Sequence, residues 1–443
     1  GVRDLMEDRT GSPEDMGIFA GIDTTLVGAT QGLPDDEGTT TRVHLEAYRD
    51  ALADAWNRFG GPDPFAVVEP LQAALHHLYA AEGASGRADA EWRTVLDRKI
   101  EVARRALLSA AGVVIDVRAE DDLVTPGQVV RVNVQVWNGG PRTLQSAVGA
   151  LSVPAGWAVE EVTTEGVAPD GSVGPGTLGT WAYDVIIPPD ADLSSLYFLR
   201  EEREGPWYRW PDDSALWGLP RDPPPVEGHF RATFTTPHGG LDVEGEEAWS
   251  FVGVNPARGE YRRPVLVVPE LSVGTTPGGM IWPQGSSSPR SITVSVRSEG
   301  KGTKRGHVAL TAPVGWTVSP QRYDVELDAE GSERSFAFEV HPGSGVAPGQ
   351  HAFQAVVVDE KGKRFEEGYA VIDYEHIERS TLYAPARSEV SVFPVEVADE
   401  LRVGYVMGTG DDGPAVIRQL GAHVDLLDAE VVRGGDFSSY DVV

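Results

Sequence analysis

One strand pattern occurs twice in this chain, and the repeat limits its fold more than any other feature. Val132-Asn133-Val134-Gln135-Val136-Trp137-Asn138-Gly139-Gly140 lines up with Ile292-Thr293-Val294-Ser295-Val296-Arg297-Ser298-Glu299-Gly300. Farther on, Val153-Pro154-Ala155-Gly156-Trp157-Ala158-Val159 lines up with Ala312-Pro313-Val314-Gly315-Trp316-Thr317-Val318, with one residue lost in between. Apolar residues at every second position all fall on one face of an extended strand. The Pro-x-Gly-Trp stretch then turns the chain and drops an indole toward the core. The reading is one β-sandwich used twice. Both tryptophans are assigned to core packing in preference to a binding role.

Ahead of the repeat the spacing is helical. Tyr48, Leu52 and Trp56 recur four apart from about Thr41, with Val43, Ala51 and Phe59 beside them. Gly60-Gly61-Pro62 stops that helix, and Asp63-Pro64 reads as the N-cap and first position of the next. The second helix carries Leu71, Ala74, Leu75, Leu78 and Tyr79, with a kink or restart at Pro70, and breaks between Gly83 and Gly86. A third, from about Arg87 to Ala111, aligns Trp92, Leu96, Ala103, Leu107 and Ala110. Three amphipathic helices with short links predict a small antiparallel bundle. Farther along, Phe336/Phe338/Val340 and Phe353/Ala355/Val357 alternate as further strands. From Leu401 an apolar run, a glycine-rich turn, a helix-like stretch to Gly421 and a run from His423 to Leu427 read as β-α-β.

The expected fold class is therefore mainly β: two Ig-like β-sandwiches, an N-terminal α-helical bundle and a truncated C-terminal α/β unit. The expected divisions are an irregular lead-in at 1–40 and a three-helix segment at 41–111. A sandwich with an aromatic insertion near 190–228 follows at 112–262, and a second sandwich at 263–376. A linker at 377–400 leads to the α/β unit at 401–443. A length of 443 residues accommodates about three domains. With 51 Gly and 32 Pro, the chain is too rich in turn formers for a helical protein, yet short of the ~25–30% that signals disorder. Gly1, without an initiator Met or signal peptide, and the strand-like Tyr440-Asp441-Val442-Val443 suggest an internal fragment.

Composition narrows the partners. Asp and Glu number 68 against 37 Lys and Arg, a formal net charge of −31. Such a field repels phosphate and anionic headgroups, and no basic run offsets it, so nucleic acid is not an expected partner. The absence of cysteine excludes disulfides, thiolate zinc sites and cysteine nucleophiles. No apolar run approaches the ~18 residues of a membrane span.

Four stretches invite a chemical reading. Pro34-Asp35-Asp36-Glu37 offers paired carboxylates, which beside a histidine can hold zinc and leave a general base. Here Leu33 stands before the proline, so a solvated loop is the preferred reading. The rival is an active enzyme in which Asp35, Asp36 and Glu37 bind metal with a distant histidine. Gly408-x-Gly410-x-x-Gly413 lies between a strand and a helix, as a dinucleotide fingerprint would. Asp411 and Asp412 would face the phosphates, and Pro414 removes an anion-binding N–H, so a plain turn is preferred. His76-His77 diverges by about 100° on a helix and is poorly placed to share a metal. No catalytic or metal-binding residue is assigned. The fourth stretch, 197–217, sets Tyr197, Phe198, Trp207, Tyr208, Trp210 and Trp217 among Arg200, Glu201, Arg203, Asp212 and Asp213. Aromatic faces beside carboxylates suit sugar rings, by stacking and hydrogen bonding. Tyr197, Trp207, Tyr208, Trp210 and Trp217 are the candidate carbohydrate-binding residues, against the alternative that the aromatics pack on a sandwich.

Several segments resemble one family. Phe19-Ala20-Gly21-Ile22-Asp23-Thr24-Thr25, Tyr197-Phe198-Leu199-Arg200-Glu201, Tyr208-x-Trp210-Pro211 and Leu401-Arg402-Val403-Gly404-Tyr405-Val406-Met407-Gly408-Thr409-Gly410-Asp411 are similar to the C-terminal region of bacterial multidomain PIG-L (LmbE-like) deacetylases. The second sandwich, with its Ala312-Pro313-Val314-Gly315-Trp316 corner, resembles the Ig-like NEW domain found beside alpha-galactosidases. The resemblance implies a zinc-dependent N-deacetylase domain upstream, with an Ala-His-Pro-Asp-Asp-Glu metal motif that nothing here matches. It implies an exported, extracellular or periplasmic parent acting on acetylated amino sugars. This chain, with no cofactor of its own, would be the accessory part, partnered by that deacetylase domain and by polysaccharide. The C-terminal β-α-β would open an amidotransferase-like or flavodoxin-like domain. The alternatives are a structural or adhesion-type spacer and a glycosidase-associated carbohydrate-binding module.

Overall fold

The computed structural model describes residues 23, 25–30, 33, 35–85, 90–201, 203, 205–236, 239–408 and 410–443. It is mainly β, with 42% strand against 22% helix. The chain forms two compact units. One takes in Gly1–Glu120, Arg131–Val185 and Pro224–Tyr261, and the other Asp121–Val130, Ile186–Pro223 and Arg262–Val443.

In the first unit the helices are Asp35–Arg58, Val68–Ala84 and Ala90–Ala110, with a short turn at Leu26–Ala29. The first long helix begins at Asp35, not near Thr41. The helix takes in Asp35-Asp36-Glu37, which corrects the reading of this stretch as a loop. Asp63 caps the next segment by accepting from the Phe65 N–H at 2.9 Å. Pro64 opens a 3₁₀ turn, Pro64–Val67, that runs into Val68–Ala84. Leu75, Leu78, Leu96 and Leu107 are buried in one core with Val134, Val136, Trp181, Phe230 and Phe234 of the strands. Helices and sandwich therefore exclude water together. Trp56 breaks the helical pattern: it is 78% exposed and stacks on the equally bare Phe59 at the helix end.

The strands of this unit form two sheets. A six-stranded sheet runs in the order Gly259–Pro264, Ser250–Asn255, Val113–Ala119, Val129–Asn138, Thr177–Ile186, Ala158–Glu165. A three-stranded sheet runs Gln145–Ser152, Glu227–Thr236, Gly239–Ala248. Val130, Val132, Val134 and Val136 are all fully buried, while Arg131 between them faces outward to Asp184, 2.6 Å away. Gly149 is a glycine for a reason: a Cβ there would meet the Trp181 ring at 2.5 Å.

The second unit repeats the scheme. One sheet orders Leu271–Thr276, Arg290–Ser298, Glu333–Pro342 and Trp316–Ser319. The other orders Gly279–Pro283, Arg387–Phe393, Gly349–Asp359, Lys304–Thr311 and Arg322–Leu327. Ile292 pairs with Phe338 and Val294 with Phe336, and Ile292, Val294, Val296, Phe338 and Phe353 fill the core. A hairpin, Glu367–Ile372 with Ser380–Pro385, stands apart from both sheets. The final stretch is β-α-β: Arg402–Tyr405 and His423–Leu426 are parallel, joined through the helix Gly413–Leu420. That helix ends on Gly421 at φ +105°, a conformation glycine adopts without strain. Its last residues dock on the sandwich edge. The Ile281 N–H donates to Gln419 Oε1 at 2.8 Å, and Arg290 Nη2 donates to the Gln419 carbonyl at 2.6 Å.

The repeated corner has the same backbone in both units. The Trp157 N–H donates to the Pro154 carbonyl at 3.1 Å, and the Trp316 N–H to that of Pro313 at 3.1 Å. Gly156 and Gly315 each sit at φ +87°. This is a type II turn, whose third residue must take positive φ.

Candidate binding surface

The segment 190–223 carries several prolines, and among its described residues it forms no strand, only the short 3₁₀ turns Tyr197–Leu199 and Ser214–Leu216. Side chains supply the order that a backbone ladder would otherwise give. The Tyr197 N–H donates to Asp222 Oδ2 at 2.6 Å, and its phenol donates to the Leu219 carbonyl at 3.1 Å. Arg200 pairs with the other oxygen of Asp222. Asp213 caps its own turn through the Ala215 N–H at 3.0 Å. The Trp217 indole N–H donates to the Pro211 carbonyl at 2.8 Å.

On this frame the rings make a continuous edge-to-face series. Trp217 meets Trp210 at 6.1 Å and 85°, and Trp210 meets Tyr197 at 5.7 Å and 69°. Tyr197 meets Phe198 at 5.2 Å and 89°, and Phe198 meets Tyr208 at 6.0 Å and 84°. The separations and tilts are those aromatic pairs prefer, so each ring helps fix the next. The structure thus brings Tyr197, Tyr208, Trp210 and Trp217 together. Their exposures divide the work: Tyr197 is buried, while Trp210 is 50%, Trp217 54% and Tyr208 44% exposed. Tyr197 is the footing, and the other three present ring surface to solvent. Trp207, beside Tyr208, is 76% exposed. Phe198, part of the aromatic stretch but not one of the candidate binding residues, links Tyr197 to Tyr208.

Charge around the rings is largely paired off. Arg203 lies over the Tyr208 ring, 5.5 Å from its centroid, and donates to its phenol oxygen at 3.3 Å. Arg209 stands 3.8 Å from Glu201. What remains on offer is aromatic face rimmed by polar groups.

The other candidate stretches fall elsewhere. Asp35, Asp36 and Glu37 occupy the first turn of a helix, and Pro34 lies outside the described residues. Among the described residues no group of three His, Asp or Glu side chains is placed to hold a metal. His76 and His77 lie edge to face at 5.6 Å, with His44 of the preceding helix 5.8 Å from His77. In the glycine-rich turn, the Asp411 carboxylate accepts from the Gly408 N–H at 3.1 Å, the Gly413 N–H at 3.1 Å and the Tyr405 phenol at 2.9 Å. The chain's own carboxylate therefore sits where a phosphate would have to sit, and its hydrogen bond pushes the Tyr405 phenol up from its usual range. Thr409 and Gly21-Ile22 of the resemblance lie outside the described residues.

With this geometry in hand, comparison with known proteins adds one assignment. Residues 286–358 match the NPCBM-associated, NEW3 domain of alpha-galactosidase. The match covers strands from both sheets of the second sandwich, so that part of the chain is similar to this accessory domain. No curated protein matches the chain. Among solved structures, native E. coli alpha-2-macroglobulin is similar at 13% identity and TM-score 0.21, over 64% of this chain and 17% of that one. The secreted serine protease VesC from Vibrio cholerae is similar at 10% identity and TM-score 0.17, over 53% of this chain and 47% of that one. The E. coli chaperone DraB follows at 11% and 0.17, over 28% and 56%. The chain spans less than two thirds of each of these proteins.

Proposed function

We propose that this chain is a non-catalytic accessory region that holds polysaccharide against a hydrolase domain. The observation that carries the reading is the pinned ring series of 197–217, which leaves Tyr208, Trp210 and Trp217 half exposed with Trp207 beside them. Large apolar rings cost free energy in water, and a rigid group of them rimmed by polar side chains marks an interaction surface. A net charge of −31 disfavours acidic polymers, so the ligand is a neutral or basic glycan. The NEW3-type sandwich supports the same setting.

The test is affinity gel electrophoresis of the full chain in xylan, galactomannan, hydroxyethyl cellulose and glycol chitin. Retardation in at least one is expected, with loss of most of it in Trp210→Ala/Trp217→Ala. Each stacked ring contributes about 0.5–1.5 kcal/mol, so the pair is worth roughly five- to 150-fold in affinity. Unretarded wild-type protein in every gel rejects the reading and leaves a spacer.

The finer form of the proposal names the catalytic partner as an exported, zinc-dependent PIG-L-type deacetylase of acetylated amino sugars. Its support is the resemblance at Tyr208-x-Trp210-Pro211 and Leu401 to Asp411. The NEW3 match favours a second form, a module attached to a glycosidase. Sequencing the coding DNA on either side separates the two. An upstream Ala-His-Pro-Asp-Asp-Glu module behind a signal peptide supports the first, and a glycosidase domain supports the second.

A further inference from the structure

The hairpin Glu367–Ile372/Ser380–Pro385 has no place in either sheet of its sandwich, yet it is heavily tied down. Its turn begins at Asp373, which faces Arg263 at 3.2 Å and Arg379 at 3.9 Å. Arg379 is buried and also donates to Asp122 Oδ2 at 2.5 Å. Within the turn the Ile377 N–H donates to the Tyr374 carbonyl at 3.2 Å. The side chains between these anchors point to water. Tyr374 is 61% exposed, with the His376 ring 5.9 Å away and tilted 36°, and Ile377 is exposed as well.

The same hairpin grips both ends of the aromatic segment. Thr381 Oγ1 donates to the Ser194 carbonyl at 2.5 Å, three residues before Tyr197. At the other end Arg221 meets Glu378 at 3.1 Å, four residues after Trp217. The hairpin is thus the frame on which the ring series is mounted, and the turn that supplies Glu378 to Arg221 also carries a further exposed aromatic, Tyr374. Holding a tyrosine out on a turn fixed at both ends gives no packing benefit. It does lower the ordering cost when a ligand lies across the ring.

We infer that the turn 373–379 is a second wall of the glycan surface and that the Tyr374 ring stacks on a sugar unit next to those held by Trp210 and Trp217. The inference rests on the polysaccharide-binding reading above and extends it from one aromatic group to an elongated site for a polymer. A monosaccharide would not span both walls.

The experiment uses the full chain in the polysaccharide gel that retards it most, comparing wild type, Tyr374→Ala, Tyr374→Phe and Trp210→Ala/Trp217→Ala. Tyr374→Ala should weaken binding roughly three- to tenfold, the worth of one stacked ring. Tyr374→Phe keeps the ring and should stay within about twofold of wild type. Tyr374 is exposed, so neither change threatens folding, and thermal unfolding confirms this. If the double tryptophan variant loses binding while Tyr374→Ala matches wild type, the second wall is overturned and the first reading stands. Equal loss in Tyr374→Phe and Tyr374→Ala overturns the stacking role. Absence of binding by the wild type overturns both readings.

Discussion

The two Pro-x-Gly-Trp corners share a turn and part company at the indole. In the second unit Trp316 is only 6% exposed and lies among Trp282 at 4.8 Å, Phe353 at 5.4 Å and His351 at 5.9 Å. In the first unit Trp157 is half-buried and leans on Trp249 at 6.2 Å and 65°. The core of that unit takes its indole from mid-strand, where Trp181 lies over Gly149 and against Phe230 at 6.3 Å. A turn's geometry is set by four residues, whereas the destination of its side chain is set by what the rest of the sandwich leaves vacant.

This difference predicts unequal costs for identical truncations. Trp316→Ala should destabilise the second unit by about 3–5 kcal/mol, the usual loss for a buried indole. Trp157→Ala should cost about 1–2 kcal/mol, because its ring already contacts water. Native-state hydrogen exchange on strands of each unit reads the two values separately. Equal losses would mean that the two corners anchor their sandwiches alike, and the comparison would fail.

The repeat was legible because alternation and a turn motif are local. Val132 to Val136 and Ile292 to Val296 were enough to place the central strands, and both are buried as expected. What the residues could not disclose is nonlocal. Trp56 fits the apolar stripe read for its helix, yet it stands in solvent while the adjacent Ala55 is buried, so the packed face runs through Leu45 and Ala55 and leaves Trp56 beside it. Asp35-Asp36-Glu37 read as a loop by composition, yet the helix begins at Asp35. The aromatic segment was recognisable by composition, but not its division into a buried footing, Tyr197, and an exposed surface. That division depends on Asp222 and Leu219, more than twenty residues away.

A sharper version of the comparison removes the indoles from the question. Gly156→Ala and Gly315→Ala place a Cβ at φ +87° in each turn. A Cβ at Gly156 meets nothing within 4 Å, and one at Gly315 meets only Val346 Cγ2 at 3.4 Å. The cost is therefore backbone strain alone, about 1–2 kcal/mol in both units. Near-equal losses measured by the same exchange experiment would show that the turns are equivalent and only the ring environments differ. A much larger loss at Gly315 would show that the turn itself is under greater tension in the second unit.

The smallest effect concerns one of the two positions where the aligned strands differ in charge, Gly139 against Glu299. Gly139 spends only its backbone, donating its N–H to the Gly112 carbonyl at 2.8 Å. Glu299 is buried, with Arg297 Nε 2.9 Å from its carboxylate and the Tyr369 phenol hydrogen-bonded to it. Burial pushes the Glu299 carboxyl above its usual range, against the opposing pull of Tyr369, Arg297 and Arg379. A folded-state value above the unfolded one means that the folded chain holds this proton more tightly. The stabilisation is present at low pH and is lost as pH rises through the folded value, because the ionised group must then stay out of water. Glu299→Gln removes that slope, so its advantage over wild type should grow as pH rises from the ordinary glutamate range toward alkaline pH. Thermal unfolding of both proteins across this range, with exchange protection to locate the change in the second unit, gives the answer. A variant that instead loses ground as pH rises would show that the ion pair with Arg297 outweighs burial, and Glu299 would then be a net stabilising addition to the second sandwich.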